Sequence, residues 1–259
     1  MASPDPLPAL VSPLRDQPAR AAVITDFDGT LSPIVADPPE ARALPGAVDV
    51  LHAIAERYGT VAVVSGRPAV FLVDRLQLAA CPRLVAYGLY GLEWTDGDVI
   101  VEHPDVGSWR AVVGETADAA EDQAPLGVWV ERKGLSVTLH TRNAPEEMEW
   151  ARSWSEARAA VSGLAVHPGR MSYELRPAVP VDKGTVVTDL VRNAGAACFL
   201  GDDRGDLAAF DALDRLSAKG GAALRVGVRS EEAPAELLER ADVLVDGPPG
   251  VVEFLRALL

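Results

Sequence analysis

The stretch VITDFDGTLSPIV, residues 23–35, decides how the rest of the chain is read. Val23 and Ile24 run into two carboxylates, Asp26 and Asp28, one residue apart, and Gly29 and Thr30 follow at once. This is the pattern of a buried strand that stops abruptly and presents two acids on the turn beyond it. Carboxylates this close repel each other. A fold tolerates that when a cation sits between them, or when one acid keeps its proton for chemistry. A strand followed by an ordinary Asp-Gly turn explains the segment equally well by itself, so the choice depends on what the remaining chain brings beside it.

Outward from this segment, short apolar runs alternate with longer amphipathic ones. AAVITDF, TVAVVSG, RLVAYG, ACFLGD, ALRVGV and DVLVD read as strands, and helices are predicted over 46–57, 68–78, 183–193, 206–218, 233–240 and 249–258. Such alternation predicts a Rossmann-like parallel α/β sheet covered on both faces. The middle of the chain differs. GVWVERKG and LSVTLHTR read as two strands joined by a tight Lys-Gly turn, followed by a helix over 145–161 and then by GLAVHP and MSYELRP. That is an α+β unit with an antiparallel sheet. The expected organisation is a core of residues 21–103 and 178–259, an inserted α/β cap of residues 104–177, and a loosely ordered, proline-rich lead-in of residues 1–20. Pro104 and Pro177–Pro180 stand where hinges would fall.

Composition narrows the function. The 259 residues are 48% hydrophobic, enough for one large core or a core with a smaller second domain. The net charge of −14, with no Lys/Arg cluster, argues against nucleic-acid or anionic-membrane binding. Cys81 and Cys198 lie far apart and outside any Cys-x-x-Cys spacing, which suits reduced thiols in the cytoplasm. The N-terminus lacks the basic and apolar regions of a signal peptide, and no apolar run is long enough to cross a bilayer.

In an open parallel sheet, ligands bind beyond the carboxyl ends of the strands. Asp26 and Asp28 end the first strand, Ser65 ends the second, and Asp202, Asp203 and Asp206 end a later one, while Lys183 opens a helix. Any of these could be a cap or a solvated turn alone, but together they fall on one edge. Five carboxylates cannot share a small site unassisted, because desolvation and repulsion would push protons onto them. A hard divalent cation resolves the conflict, and an all-oxygen donor set without His or Cys suits Mg²⁺ better than zinc. Lys183, Ser65, Thr30 and backbone N–H groups would complete a phosphate cradle. A carboxylate inside it can attack phosphorus to form an acyl phosphate, and the acid two residues on can protonate the leaving oxygen and then activate water.

These motifs resemble those of the haloacid dehalogenase superfamily of phosphohydrolases. The resemblance implies Asp26 as nucleophile, Asp28 as acid/base and Lys183 as the charge-balancing lysine. It also implies Thr30, Ser65, Gly66 and Arg67 at the phosphate, and Asp26, Asp28 (through its backbone carbonyl), Asp202, Asp203 and Asp206 around the metal. Further segments, LSPIVADPPEA, SGRP, GLYGLEW, ERKGLSVTLHTRNAP, YELRP, DKG and GDDRGDLAAF, resemble the trehalose-6-phosphate phosphatase family from residue 20 to the C-terminus. That family carries an α/β cap between the Ser and Lys motifs, whose polar residues reach over the disaccharide. Glu131, Lys133, His140, Arg142, Glu174 and Arg176 occupy the matching positions. Each also has a plainer structural role. Glu131 and Lys133 flank a turn, His140 sits on an alternating strand, and Glu174 and Arg176 share a strand face and could pair with neighbours. The chain departs from the family's pattern at Gly205 and Leu207, where Thr and Glu are usual, and at Tyr90, where many relatives carry His.

The resemblance implies a Mg²⁺-dependent phosphatase acting on trehalose 6-phosphate, a monomer working beside the synthase that makes this substrate. Sucrose-phosphate and mannosyl-glycerate-phosphate phosphatases share the core motifs and remain alternatives, with a phosphomutase behind them. A non-catalytic sugar-phosphate-binding paralogue would typically lack the nucleophile or the metal acid, and both are present here.

Overall fold

A computed structural model describes residues 7–35, 37–230 and 233–259. The first leg of the chain forms α1 (Leu7–Asp16), β1 (Ala21–Thr25), α2 (Ala47–Ala55), β2 (Thr60–Val64), α3 (Ala69–Arg75), β3 (Leu84–Gly88), β4 (Glu93–Asp96) and β5 (Val99–Glu102). The insertion forms α4 (Arg110–Gln123), β6 (Trp129–Arg132), β7 (Val137–His140), α5 (Met148–Ser162), β8 (Ala165–Gly169) and β9 (Ser172–Arg176). The return leg forms α6 (Lys183–Leu190), β10 (Ala196–Gly201), α7 (Leu207–Ala218), β11 (Ala222–Arg229), α8 (Ala235–Arg240), β12 (Val243–Asp246) and α9 (Gly247–Ala257). Among the described residues, one compact unit comprises those up to Val101 together with those from Val181 to Leu259, and Glu102–Pro180 make the other.

The first unit is a doubly covered α/β sheet in the order β12-β11-β10-β1-β2-β3-β4-β5. Every pair from β12 to β3 is parallel, and β4 returns antiparallel to β3. Central β1 is buried at every residue, and its side chains alternate between two apolar clusters. Ala21 and Val23 pack with α1, α2, α3 and α9, while Ala22 and Ile24 pack with α6, α7 and α8. This two-sided burial is why the strand reads as a continuous apolar run. No helix among the described residues is long and apolar enough to cross a membrane.

Three segments differ from the sequence reading. Of the expected loose lead-in, residues 1–6 lie outside the described residues, but Leu7–Asp16 form a helix with Val11 and Leu14 buried in the main core. Leu7, Val11 and Leu14 recur at helical spacing and outweigh the prolines around them. The hairpin β4–β5, turning at Gly97 (φ +57°), extends the sheet over residues for which no strand is predicted from the sequence. Helix α4 was not anticipated because its buried stripe, Val113, Thr116, Ala117 and Ala120, is built from small or polar residues. Ala36, within the LSPIVADPPEA segment, also lies outside the described residues.

The second unit is an antiparallel sheet, β6-β7-β9-β8. Val137, Leu139 and Leu175 point to one face, where they form a small core with Val113, Ala117 and Ala120 of α4 and Ala151 of α5. Strand alternation sends Glu131, Thr138, His140, Glu174 and His167 to the opposite face, and the register sets Glu131, Thr138, Glu174 and His167 in one row.

Candidate active site

Strand order brings the core residues together. β1 lies between β10 and β2, so the turns after three adjacent parallel strands open on the same edge. Asp26 follows β1, its N–H still bonded to Leu200 O of β10 at 2.9 Å, while Ser65 follows β2 and Asp202 follows β10. Asp26, Asp202 and Asp206 are buried and bring one carboxylate oxygen each to within 4.8 Å of one another. Lys183, the first residue of α6, reaches into this group. Its Nζ donates to Asp206 Oδ1 at 2.6 Å and lies 2.9 Å from Asp26 Oδ1. The approach depends on Gly184, where a Cβ would stand 2.5 Å from Ala208 O and force α6 away from α7.

Asp206 is anchored from both sides. Its second oxygen accepts the N–H groups of Asp202 and Asp203 at 2.9 and 3.0 Å, which shapes the turn that presents Asp202. Thr30 donates its hydroxyl to Asp202 Oδ1 at 3.2 Å. Gly29, at φ +77°, has no room for a Cβ, which would fall on the Asp202 carboxylate. Burial, and then repulsion by Asp203 and Asp202, push the Asp26 carboxyl up to about 7 against the pull of Lys183. Burial together with Asp206 and Asp203 pushes Asp202 up to about 8. Burial works against the charge of Lys183, but Asp206 and Asp26 outweigh it and hold the ammonium well above its usual range. One lysine thus leaves the three acids under-neutralised, and a divalent cation fits this oxygen-only donor set.

The side chains of Asp28, expected at the metal only through its backbone carbonyl, and of Asp203 stand apart from the three-carboxylate group. Asp28 turns its side chain to Arg67, which grips both of its oxygens at 2.7 Å. Asp203 is exposed and caps the following turn, accepting from Asp206 N at 3.1 Å. For Asp203 the reason lies in local geometry: an Asp at an N-cap spends its carboxylate on the backbone. This cap also holds the turn in which Gly205 replaces the usual Thr, and Leu207 packs against the apolar cluster beneath α7. Ser65 is buried and accepts from Arg67 N at 3.2 Å. The Tyr90 ring lies so close to Gly66 that a Cβ there would meet its Oη at 2.5 Å, so the departure at Tyr90 shapes the Ser65–Gly66 turn.

The insertion carries its own polar cluster. Glu174, 5% exposed, accepts from Ser136 Oγ at 2.6 Å and from Lys133 Nζ at 3.4 Å. Burial opposes its charge, but Lys133, the Ser136 hydroxyl and Arg176 prevail and hold it below the usual carboxylate range. Glu131 hydrogen-bonds His140 Nε2 at 2.8 Å and lies 3.6 Å from Lys133 Nζ. Trp129 stacks on His140 with ring centroids 4.7 Å apart. Arg176 donates to His167 Nδ1 at 2.6 Å, and burial followed by Arg176 lowers His167 to about 4. Arg142 lies past the end of β7, exposed in the following turn. Ser136 and His167 escaped the sequence reading, although strand alternation places both on the Glu174 face.

Comparison with known proteins bears on the family. The trehalose-phosphatase family profile matches residues 24–237. The chain belongs to the trehalose-phosphatase family. A trehalose-phosphate phosphatase of Mycobacterium tuberculosis is 39% identical over 207 residues, covering 74% of this chain and 51% of the relative. One of Mycobacterium leprae is 33% identical, covering 92% of this chain and 57% of its own length. The chain therefore spans about half the length of these relatives. Among solved structures, a trehalose-6-phosphate phosphatase related protein superposes with a TM-score of 0.76 at 25% identity, covering 91% of this chain and 95% of that one. The C-terminal domain of a Candida albicans trehalose-6-phosphate phosphatase shares the fold, with a TM-score of 0.77 at 21% identity over 97% of this chain and 96% of that one. A haloacid dehalogenase-like hydrolase from Bacteroides thetaiotaomicron shares it at 15% identity and a TM-score of 0.65, covering 92% of this chain and 99% of that one.

Proposed function

We propose that this chain hydrolyses trehalose 6-phosphate to trehalose and inorganic phosphate, with Asp26 as nucleophile, Asp28 as acid/base and Mg²⁺ as the metal. The observation that carries the reading is the buried Asp26, with Lys183 Nζ 2.9 Å from its Oδ1 and Asp202 and Asp206 close by. Family membership favours the sugar phosphate as substrate.

Asp26 and Asp202 would hold the metal, with Asp206 beneath them and the Asp28 carbonyl as a further donor. Bound there, Mg²⁺ would neutralise the acids and polarise the phosphoryl oxygens. The protein's own groups account for the bond changes. An Asp26 oxygen attacks phosphorus, the bond from phosphorus to the sugar oxygen breaks, and that oxygen takes a proton from Asp28. Asp28, now a carboxylate, takes a proton from water as the water oxygen attacks phosphorus. The bond to Asp26 breaks and phosphate leaves. Together with the bound cation, Lys183 favours the ionised form of the nucleophile, while the Thr30 and Ser65 hydroxyls flank the phosphate position. In the insertion, the Glu131–Lys133–Glu174 cluster offers both acceptors and donors to sugar hydroxyls.

A panel of sugar phosphates assayed with Mg²⁺ tests the reading. Trehalose 6-phosphate should give a kcat/KM about tenfold or more above those of sucrose-phosphate and mannosyl-glycerate-phosphate. Preference for one of the latter two would reassign the substrate, and release of no phosphate from any of them would mean a binding protein.

A further inference from the structure

Arg67 follows Ser65 in the sequence and would ordinarily be counted with the phosphate-binding groups. Its geometry indicates another role. Nε donates to Asp28 Oδ2 and a terminal nitrogen donates to Asp28 Oδ1, both at 2.7 Å, so the planar guanidinium occupies both oxygens of the second acid. The Arg67 side chain is only 12% exposed, whereas that of Asp28 is 29% exposed. The arginine is itself fixed at both ends. At its base, its N–H donates to Ser65 Oγ at 3.2 Å and its carbonyl accepts from Leu89 N at 2.9 Å. At its tip, the guanidinium carbon lies 4.8 Å from the Phe71 ring centroid, and Phe71 packs edge-on against Phe27, the residue between the two acids.

We propose that Arg67 is the positioning residue of the acid/base Asp28, and that it acts on the reaction through that carboxylate and not by binding phosphate. The inference rests on the reading of Asp28 as acid/base. A partly exposed aspartate on a turn has free side-chain torsions, and a single donor would leave its plane undefined. Two parallel N–H···O bonds from a planar group fix both position and plane, which a lysine cannot do. The anchoring on Phe71 and on the Ser65 turn makes the clamp a rigid link between the turn after β1 and the turn after β2. Asp28 works in both halves of the reaction, and removal of phosphate from Asp26 is common to every substrate. Loss of the clamp should therefore slow all esters alike and leave their binding nearly unchanged.

The test compares Arg67→Ala, Arg67→Lys, Asp28→Asn and the Asp28→Asn/Arg67→Ala double variant, each with Mg²⁺, on trehalose 6-phosphate and on p-nitrophenyl phosphate. Arg67→Ala should lower kcat by about tenfold or more on both esters, as loss of a well-placed acid/base does, with KM within about threefold. Arg67→Lys, which keeps the charge and one donor, should recover only part of this loss. Added guanidinium ion should restore part of kcat in Arg67→Ala. In the Asp28→Asn background, Arg67→Ala should cost no more than about twofold further, because residues acting through one another are not additive. A raised KM with unchanged kcat would overturn the proposal in favour of a phosphate ligand. Full additivity in the double variant would overturn it also, as would full activity in Arg67→Ala. If wild type turns over p-nitrophenyl phosphate but not trehalose 6-phosphate, the substrate reading fails while the clamp is still tested on the smaller ester. A wild type inert to both overturns the two together.

Discussion

Lys183 and Asp206 form a deeply buried ion pair at the candidate site, Nζ to Oδ1 2.6 Å, with the lysine side chain 2% and the aspartate side chain 0% exposed. Asp206 shapes the turn that presents Asp202, and it holds Lys183 beside Asp26, the proposed nucleophile. Lys183→Met removes the charge and keeps most of the volume, leaving buried carboxylates without their partner. Breaking such a pair from one side should cost about 3–5 kcal/mol of stability, together with nearly all turnover. Urea denaturation of the metal-free protein measures the first quantity, and an unchanged midpoint would contradict the electrostatic picture of the site.

Activity should require Mg²⁺, disappear in EDTA and recover poorly with Ca²⁺. Asp26, Asp202 and Asp206 each bring a carboxylate oxygen to one place, and in-line attack on phosphorus needs the strict octahedral positioning of Mg²⁺, which Ca²⁺, taking more ligands at longer distances, does not give. Calorimetric titration with Mg²⁺ should show a site that is lost in Asp202→Asn. Full turnover in chelator would remove the metal from the mechanism.

The insertion should show a specific acid lability. Burial and Arg176 hold His167 at about 4, below the 6.5 of a free imidazole, while Glu174 pulls the other way. Above about pH 6.5 the imidazole is neutral in both folded and unfolded states, and its contribution is fully present. As pH falls from 6.5 towards 4, the unfolded chain takes up a proton that the folded one refuses, and stability declines. Melting temperatures of wild type and His167→Asn should therefore converge or cross as pH falls through this window. A constant difference between them from pH 7 to pH 4 would show that His167 is not held neutral.

Glu174 should separate sugar recognition from phosphate chemistry. It lies in the insertion, gripped by Ser136 and Lys133, and not among the core acids. Glu174→Ala should cost about 1–3 kcal/mol for each charge-assisted hydrogen bond to sugar that is lost, a factor of roughly ten to a hundred on trehalose 6-phosphate. Hydrolysis of p-nitrophenyl phosphate should barely change. Equal losses on both esters would assign Glu174 to the fold of the insertion.

Much of the site was legible because its residues interrupt apolar strands at one end, and strand order then places them side by side. Asp26, Ser65 and Asp202 could be grouped from that rule alone. The distinction between ligand and support could not be read from spacing. Asp203 and Asp206 look alike in GDDRGD, yet one caps a turn at the surface and the other is buried beneath Lys183. The roles of Arg67 and Tyr90 likewise depend on which neighbouring turn each side chain meets. Helix α1 was hidden by prolines and α4 by its alanines, since both bury narrow stripes that composition obscures. The cross-strand neighbours of Glu174, Thr138 and His167, became visible only from the strand register.

Phosphate release from trehalose 6-phosphate by wild type and by Asp26→Asn, both with saturating Mg²⁺, tests the central claim most directly. The amide is nearly the size of the carboxylate, so the fold should persist, which circular dichroism can verify. It can neither attack phosphorus nor serve as an anionic metal ligand. Wild type should turn over the substrate, and the variant should fall by about three orders of magnitude or more. An Asp26→Asn protein retaining about a tenth of wild-type turnover would contradict nucleophilic catalysis by this residue.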